Sequence, residues 1–219
     1  YLVLRGLDSV EDDMTYAAEK RLPLLRSFYL KSYDANWNIK GVGDSDDYRT
    51  LLANYHKVNS LFLSLDERYQ KVIADICCKM GNGMADYAEK KVNTLTDYDN
   101  YCHYVAGLVG IGLSSLFSAS GLESERLQEE LELANSMGLL LQKTNISRDY
   151  YEDLSLGRVF WPRQIWGKYA TRLEEFHNKP TSPEALACIN EMVTNALQHV
   201  SNCILYLHMI RDPQVFRFC

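Results

Sequence analysis

Two segments far apart in the chain, Asp8-Ser-Val-Glu11-Asp12 and Asp149-Tyr-Tyr-Glu152-Asp153, carry acidic residues at the same spacing. Read as helix, each places carboxylates at i, i+3 and i+4, so the oxygens leave one side with neighbours roughly 5–6 Å apart. Like charges at that spacing destabilise an isolated helix by roughly 0.2–0.5 kcal/mol per pair. A chain that does this twice calls for a compensating ligand. Mg²⁺ is one: it takes oxygen ligands, keeps several waters, and is usually held by one or two carboxylates plus phosphates. Two such clusters facing each other would grip a diphosphate through bridging metal ions.

Arg5 stands three residues before Asp8, and Arg148 directly precedes Asp149. Each can form a local salt bridge, worth little if exposed. Each can also present a planar fork to phosphate oxygens, which lysine cannot do. Tyr1, Arg5, Asp8, Asp12 and Thr15 step by four and three and so share a face. Gly138, Gln142, Asn145, Asp149 and Glu152 make a second polar stripe, inside the apolar setting of Met137-Gly-Leu-Leu-Leu and Ile146. A solvated outer face explains one such stripe, but outer faces usually carry Lys and Glu. Carboxamides in an apolar setting need hydrogen-bond partners, which favours a polar cleft meeting a ligand.

Between the clusters lies Tyr101-Cys-His103-Tyr104-Val-Ala-Gly107-Leu-Val-Gly110-Ile-Gly112. Each glycine costs a helix about 1 kcal/mol relative to alanine. Close helix packing and room for a bulky apolar ligand both explain them. Tyr101 reads as a packed aromatic as readily as a catalyst, since a phenol with pKa about 10 is a weak base. His103, alone, reads as structural.

The elements that must position these groups are almost all helical: apolar residues recur at three- and four-residue spacing, without a sustained alternating run. The first helix is expected from the start to about Ser32, kinked or divided by Pro23. Tyr33 to Asp47 is a surface connection. A second helical stretch covers Tyr48 to Lys91, broken near Gly81-Asn82-Gly83. Thr94 or Thr96 caps a third, ending near Gly121. Ser124 opens a fourth, which carries the second acidic cluster and closes at Gly157. Trp161-Pro162 begins a short helix. Thr181-Ser-Pro-Glu184 joins a capping box to an early proline and starts the last long helix, to about Arg211. The expected architecture is one all-α domain over residues 1–219, with helices around a central cleft.

With 219 residues, 47% of them apolar, the chain can bury a substantial core, and its net charge of −6 argues against nonspecific nucleic-acid binding. The six cysteines, Cys77, Cys78, Cys102, Cys188, Cys203 and Cys219, show no zinc-ligand spacing and read as reduced core residues. No signal peptide is evident, and no apolar run reaches the ~20 residues of a membrane span. Val105 to Phe117 comes nearest. The opening Tyr1-Leu-Val-Leu and the closing Phe218-Cys219 both read as cut ends.

Tyr101-Cys-His-Tyr-Val-Ala-Gly-Leu-Val-Gly resembles the first signature of the squalene/phytoene synthase family. The second is matched by Met137-Gly-Leu-Leu-Leu-Gln142-Lys-Thr-Asn145-Ile-Ser-Arg148-Asp149-Tyr-Tyr-Glu152-Asp153, continuing through Gly157-Arg158-Val-Phe-Trp161-Pro162. With the segment from Tyr1 to Asp12, the resemblance spans essentially the whole chain. Its Gln-Lys-Thr-Asn-Ile and Phe-Trp-Pro forms are similar to those of the eukaryotic squalene-forming branch.

The resemblance implies an all-α isoprenoid-synthase-type helical bundle, truncated at both ends, that takes two molecules of farnesyl diphosphate, Mg²⁺ and NADPH. It assigns the metal to Asp8, Glu11, Asp12, Asp149, Glu152 and Asp153, and deprotonation to Tyr101. Substrate contacts are implied for Tyr1, Arg5, Gln142, Asn145, Arg148, Arg158 and Phe218, with Arg5 and Arg148 also near the NADPH phosphate. The implied reaction is head-to-head condensation to presqualene diphosphate, then reduction to squalene in sterol biosynthesis. The parent protein is expected to be a monomer at the endoplasmic reticulum membrane, facing the cytosol and anchored by a segment absent here. Serine and arginine contacts upstream, and a basic NADPH-binding segment downstream, are also absent. Two other readings are condensation of geranylgeranyl diphosphate as in phytoene synthases, and a family member that has kept the fold and lost catalysis.

Overall fold

The computed structural model describes residues 1–88 and 90–219. Its helices fall into two compact units, Tyr1–Glu89 and Lys90–Cys219.

The first unit holds α1 (Leu2–Asp12), α2 (Ala18–Lys31), α3 (Asp46–Ala53), α4 (Tyr55–Leu63) and α5 (Glu67–Tyr87). Leu7 and Val10 of α1, Leu25 and Phe28 of α2, Leu52, Tyr55 and Met80 are sealed from solvent and form its core. Phe28, Trp37 and Tyr55 meet edge to face with centroids 5.3–5.5 Å apart, a favoured aromatic geometry. Tyr55 also donates its hydroxyl to the Val3 carbonyl at 3.3 Å, pinning the first turn of α1. The opposite, half-buried side of α1 carries Arg5, Asp8, Glu11 and Asp12.

Two expectations fail here. The first break falls at residues 13–17 and not at Pro23, which lies inside α2. Asp13 makes that break: its carboxylate accepts from Thr15 N, Thr15 Oγ1 and Gly43 N, so the turn satisfies its donors without helix. The expected break at Gly81-Asn82-Gly83 is absent, because α5 runs unbroken through it. A Cβ at Gly81 would collide with the Leu25 carbonyl oxygen, so glycine here is the condition for α2 and α5 to pack. The stretch from Tyr48 instead divides at Asn54 and Ser64–Asp66, with Asp66 capping α5 by accepting from Arg68 N at 3.0 Å.

In the second unit, α6 (Leu95–Cys102), a wide π turn (His103–Gly107) and α7 (Leu108–Ala119) form one continuous helix. Thr94 caps it through a reciprocal capping box with Asp97. By length and composition alone this 25-residue helix, which contains Val105 to Phe117, is long and apolar enough to cross a membrane. It packs on α9 (Leu131–Arg148), reached after the short α8 (Arg126–Glu129). A Cβ at Gly138 would strike the Ala106 carbonyl oxygen, and one at Gly110 that of Ala134. Of the two explanations offered for Gly107, Gly110 and Gly112, close packing is realised at Gly110, and at Gly107 a Cβ would strike the Asn135 side chain.

The fourth helix is not continuous. It ends at Arg148 and restarts as α10 (Tyr150–Ser155), so Asp149 stands in the joint. Gly157 closes it with φ +74°. Then come α11 (Arg163–Trp166), α12 (Glu175–Asn178), α13 (Pro183–Leu197), α14 (Val200–Met209) and α15 (Pro213–Phe218). Ser182, not Thr181, caps α13, accepting from Ala185 N with Pro183 at the first helical position. The expected single last helix is thus two, and α15, which the sequence reading did not foresee, starts at the cap Asp212. Leu127, Ala134 and Tyr206 centre one core, with Ile111, Phe117 and Met137 packed around it.

Candidate active site

On α1, Asp8 and Asp12 are one turn apart and both half-buried. Asp8 keeps 27% of its side-chain surface, yet protein encloses the rest, and Arg5 lies 3.7 Å away. Burial raises the Asp8 carboxyl to about 7; Arg5 opposes the rise, and Asp12 adds to it. The Arg5 guanidinium rests against the rings of Tyr48 and Tyr1, at 5.4 and 5.9 Å. Its Nε is buried without a hydrogen-bond partner. A buried donor left in that state points to an acceptor supplied from outside the chain.

The second cluster has the same spacing and different surroundings. Arg148 clamps Asp149 with both prongs, Nε to Oδ1 at 2.6 Å and Nη2 to Oδ2 at 2.7 Å. That fork holds the Asp149 carboxyl below its ordinary range, with partial burial working against it. Glu152 is exposed and Asp153 half-buried, with Arg158 Nη2 3.5 Å from Asp153 Oδ1. The backbone N of Arg158 donates to the Asp153 carbonyl at 2.8 Å, closing the segment on itself.

Tyr101 is buried, and its ring stacks on Phe160 at 4.9 Å with planes 17° apart. The Arg158 guanidinium lies 6.0 Å from the centre of that same ring. Tyr101, Phe160, Arg158 and Asp153 therefore form one run of contacts, which ties the phenol to the acidic cluster. Phe160 was not singled out from sequence; its only signal was its place in the Phe-Trp-Pro motif. His103 hydrogen-bonds Asn135 Oδ1 at 2.7 Å, as expected of a structural histidine. On α9, Gln142 is half-buried and Asn145 exposed. Phe218 is 68% exposed and meets Phe117 edge to face at 6.0 Å, while Tyr1 is 88% exposed. All six cysteines are free thiols, and only Cys219 is fully exposed.

Among the described residues, no three Asp, Glu, His or Cys side chains converge closely enough to surround a metal by themselves. Mg²⁺ takes one or two carboxylates and completes its shell from water and phosphate. Every donor in both acidic clusters is a carboxylate oxygen, the type this ion selects.

Sequence reasoning also passed over Lys143, which is sealed inside the second unit. A signal was available: Ser136, Leu139, Lys143 and Ile146 step by three, four and three along the inner face of α9.

The helices and their acidic clusters define an all-α fold of the isoprenoid-synthase type. A family model described as squalene/phytoene synthase matches residues 1–219, and the chain belongs to that family. Among curated relatives, Squalene synthase BSS of Botryococcus braunii is 56% identical over 223 residues, covering 100% of this chain and 48% of the relative. Squalene synthase of Rattus norvegicus is 50% identical over 219 residues, covering 100% and 52%. The chain thus spans about half the length of the curated relatives it matches. A solved complex of TcSQS with the ligand E5700 superposes with TM-score 0.97 at 50% identity, over 100% of this chain and 64% of that one. Squalene synthase HpnC from Alicyclobacillus acidocaldarius matches with TM-score 0.66 at 20% identity, over 98% and 73%, and shares the fold.

Proposed function

We propose that this chain is the greater part of the catalytic domain of an enzyme that joins two farnesyl diphosphates head to head. The product is presqualene diphosphate, which the same enzyme reduces to squalene. The observation that carries this reading is identity of 50–56% to proteins described as squalene synthases, sustained across all of the chain. The two units are taken to act as one catalytic domain.

Asp8, Glu11 and Asp12 would hold Mg²⁺ at one cluster, and Asp149, Glu152 and Asp153 at the other. When bound, the metal supplies positive charge that stabilises a departing diphosphate. The chain's own contribution is largely electrostatic and steric. Arg5 offers a buried, partnerless N–H to an anion. Arg148 and Arg158 sit against the carboxylates of the second cluster, and their guanidinium forks would serve as donors to phosphate oxygens.

Departure of diphosphate from an allylic carbon leaves a carbocation, and water must be kept from it. Val105, Val109 and Leu113, at four-residue spacing on one helix, stay only half-buried, and Leu141 on α9 is exposed. An incompletely covered apolar stripe of this kind suits a prenyl chain. Tyr101, held flat against Phe160, would take the proton released when the new carbon–carbon bond forms while its own hydroxyl proton passes to the departed diphosphate. Gln142 and Asn145 supply polar contacts beside it on α9.

NADPH would supply the hydride of the reduction, with Arg5 and Arg148 near its phosphate. The parent protein is read as a monomer tied to the endoplasmic reticulum membrane by a segment outside these residues, with its catalytic part in the cytosol. The free cysteines agree with a reducing compartment.

The test is incubation of the full-length protein with labelled farnesyl or geranylgeranyl diphosphate, with and without NADPH. Presqualene diphosphate without NADPH, and squalene with it, from the shorter substrate alone are the expected products. Product from the longer substrate alone would overturn the assignment, as would no product from either.

A further inference from the structure

Lys143 is 0% exposed on the inner face of α9. An ammonium taken out of water needs an acceptor for each of its three N–H bonds. Two accept from it, Asn195 Oδ1 at 2.8 Å and His199 Nε2 at 2.9 Å, and Asp99 Oδ1 stands 2.6 Å away as its ion-pair partner. The ring of Tyr98 lies alongside, its centre 5.3 Å from Nζ. For His199 Nε2 to accept, the ring proton must sit on Nδ1. Burial and the charge of Lys143 both hold the His199 imidazole below its ordinary range, while Asp99 opposes them.

The three partners belong to three places in the fold: Asp99 to α6, Asn195 to α13, and His199 to the joint before α14. Asp99 lies two residues before Tyr101 in the same short helix. Lys143 lies between Gln142 and Asn145 on α9. A shift of α6 along or about its axis therefore moves Tyr101 and stretches the Asp99–Lys143 contact together. Methionine would fill the same space without charge, and a buried ion pair is weak support for stability in itself. What lysine adds is one centre of charge that holds three elements at once, two by hydrogen bonds and one by ion pairing.

We propose that Lys143 is a positioning residue: its enclosed ammonium, ion-paired with Asp99 and hydrogen-bonded to Asn195 and His199, sets the helix that carries Tyr101 against the helix that carries Gln142 and Asn145. This role rests on the proposed function, in which Tyr101 takes the proton of the condensation. Misplacing a reacting group by about 1 Å can cost about a hundredfold in rate, so the effect should fall on kcat more than on KM.

The experiment compares the full-length protein with Lys143→Met, Asp99→Asn and their combination. It reads kcat and KM for farnesyl diphosphate per folded molecule, Tm, and the side-chain ¹⁵N resonances of His199. Lys143→Met is expected to lower kcat by about tenfold or more with KM within about threefold. Asp99→Asn should lower kcat in the same direction, and the combination should be no slower than Lys143→Met alone. Lys143→Arg should not recover the rate, because a planar fork cannot address three partners arranged about one point. If Lys143→Met does not fold, Asp99→Asn carries the test, since Asp99 is 43% exposed and asparagine keeps its shape.

A fall in Tm with kcat per folded molecule within about twofold of the parent would overturn the proposal, leaving a packing role only. So would single effects on kcat that multiply in the combination. The His199 spectrum needs no substrate: Nε2 bare and Nδ1 protonated at pH 6 supports the anchor, and titration of the ring in its ordinary range overturns it. Absence of turnover by the parent protein would instead overturn the functional reading, and with it the rate effect, while the spectrum still reports on the anchor.

Discussion

The two acidic clusters share a spacing and diverge in their physics. Asp8 lies in an unbroken helix, is enclosed by protein and has its carboxyl raised to about 7. Asp149 lies in a helix joint, is gripped by the Arg148 fork and has its carboxyl lowered. Identical patterns of side chains thus give one group whose protonation is favoured by burial and one whose ionisation is favoured by its cationic neighbour. The difference teaches that i, i+3, i+4 spacing fixes where the oxygens leave the helix, while the neighbours fix whether they are charged. If the clusters hold a cation as proposed, the second must part from the Arg148 fork and the first must shed any bound proton to receive one.

The comparison breaks most sharply on catalysis. Asp8→Asn and Asp149→Asn in the full-length protein should each lower kcat by about 10²–10³-fold, the usual cost of losing a preorganised charge partner of the transition state. Unequal losses, with either variant near parental activity in a steady-state assay, would remove that cluster from the site. Tyr101→Phe should be as severe for formation of presqualene diphosphate while leaving analogue binding intact. Calorimetric binding of a diphosphate analogue beside the product assay separates the two. Phe160→Leu, which removes the stack on Tyr101, should cost about tenfold in kcat, matching the ~0.5–1.5 kcal/mol of an aromatic pair. A parental rate would show that the stack does not hold the phenol.

Smaller effects appear in the ligand-free protein, where the same two substitutions should act in opposite directions. At pH 8 Asp8→Asn is expected to raise Tm, because a carboxylate held against its preference in a desolvated place is replaced by a neutral isostere. Asp149→Asn is expected to lower Tm slightly, through loss of an exposed fork. The pH dependences follow with opposite sign. Asp8 binds its proton more tightly in the folded state, so its contribution is fully present below about 3.8, its ordinary value, and is lost as pH rises to about 7. Asp149 binds its proton more weakly when folded, so its contribution is present above its ordinary value of 3.8 and is lost as pH falls below it. Differences in Tm between parent and variant, followed from pH 3 to pH 8, read each slope in isolation.

Much of this was legible in the sequence because it rests on local chemistry. The helical period, a cap at Thr94, the turn at Gly157 and both acidic motifs are set by residues within a few positions of one another. What was illegible depended on groups distant in the chain. The break near Asp13 requires Gly43 N, thirty residues on. Gly81 reads as a helix breaker until the Leu25 carbonyl stands against it. The burial of Lys143 requires Asp99, Asn195 and His199, none of which is near it in sequence. The raised carboxyl of Asp8 belongs with these, since packing around α1 causes it, whereas the Arg148 fork that lowers Asp149 comes from the adjacent residue.

The most direct test is a crystal structure of the full-length protein with Mg²⁺ and a thio-substituted farnesyl diphosphate that cannot ionise. The account predicts metal ions at both clusters, with carboxylate oxygens of Asp8 or Asp12 and of Asp149 or Asp153 at about 2.0–2.1 Å, each ion also touching diphosphate oxygens. Diphosphate bound with either cluster bare of metal, or seated on arginines alone, would contradict it.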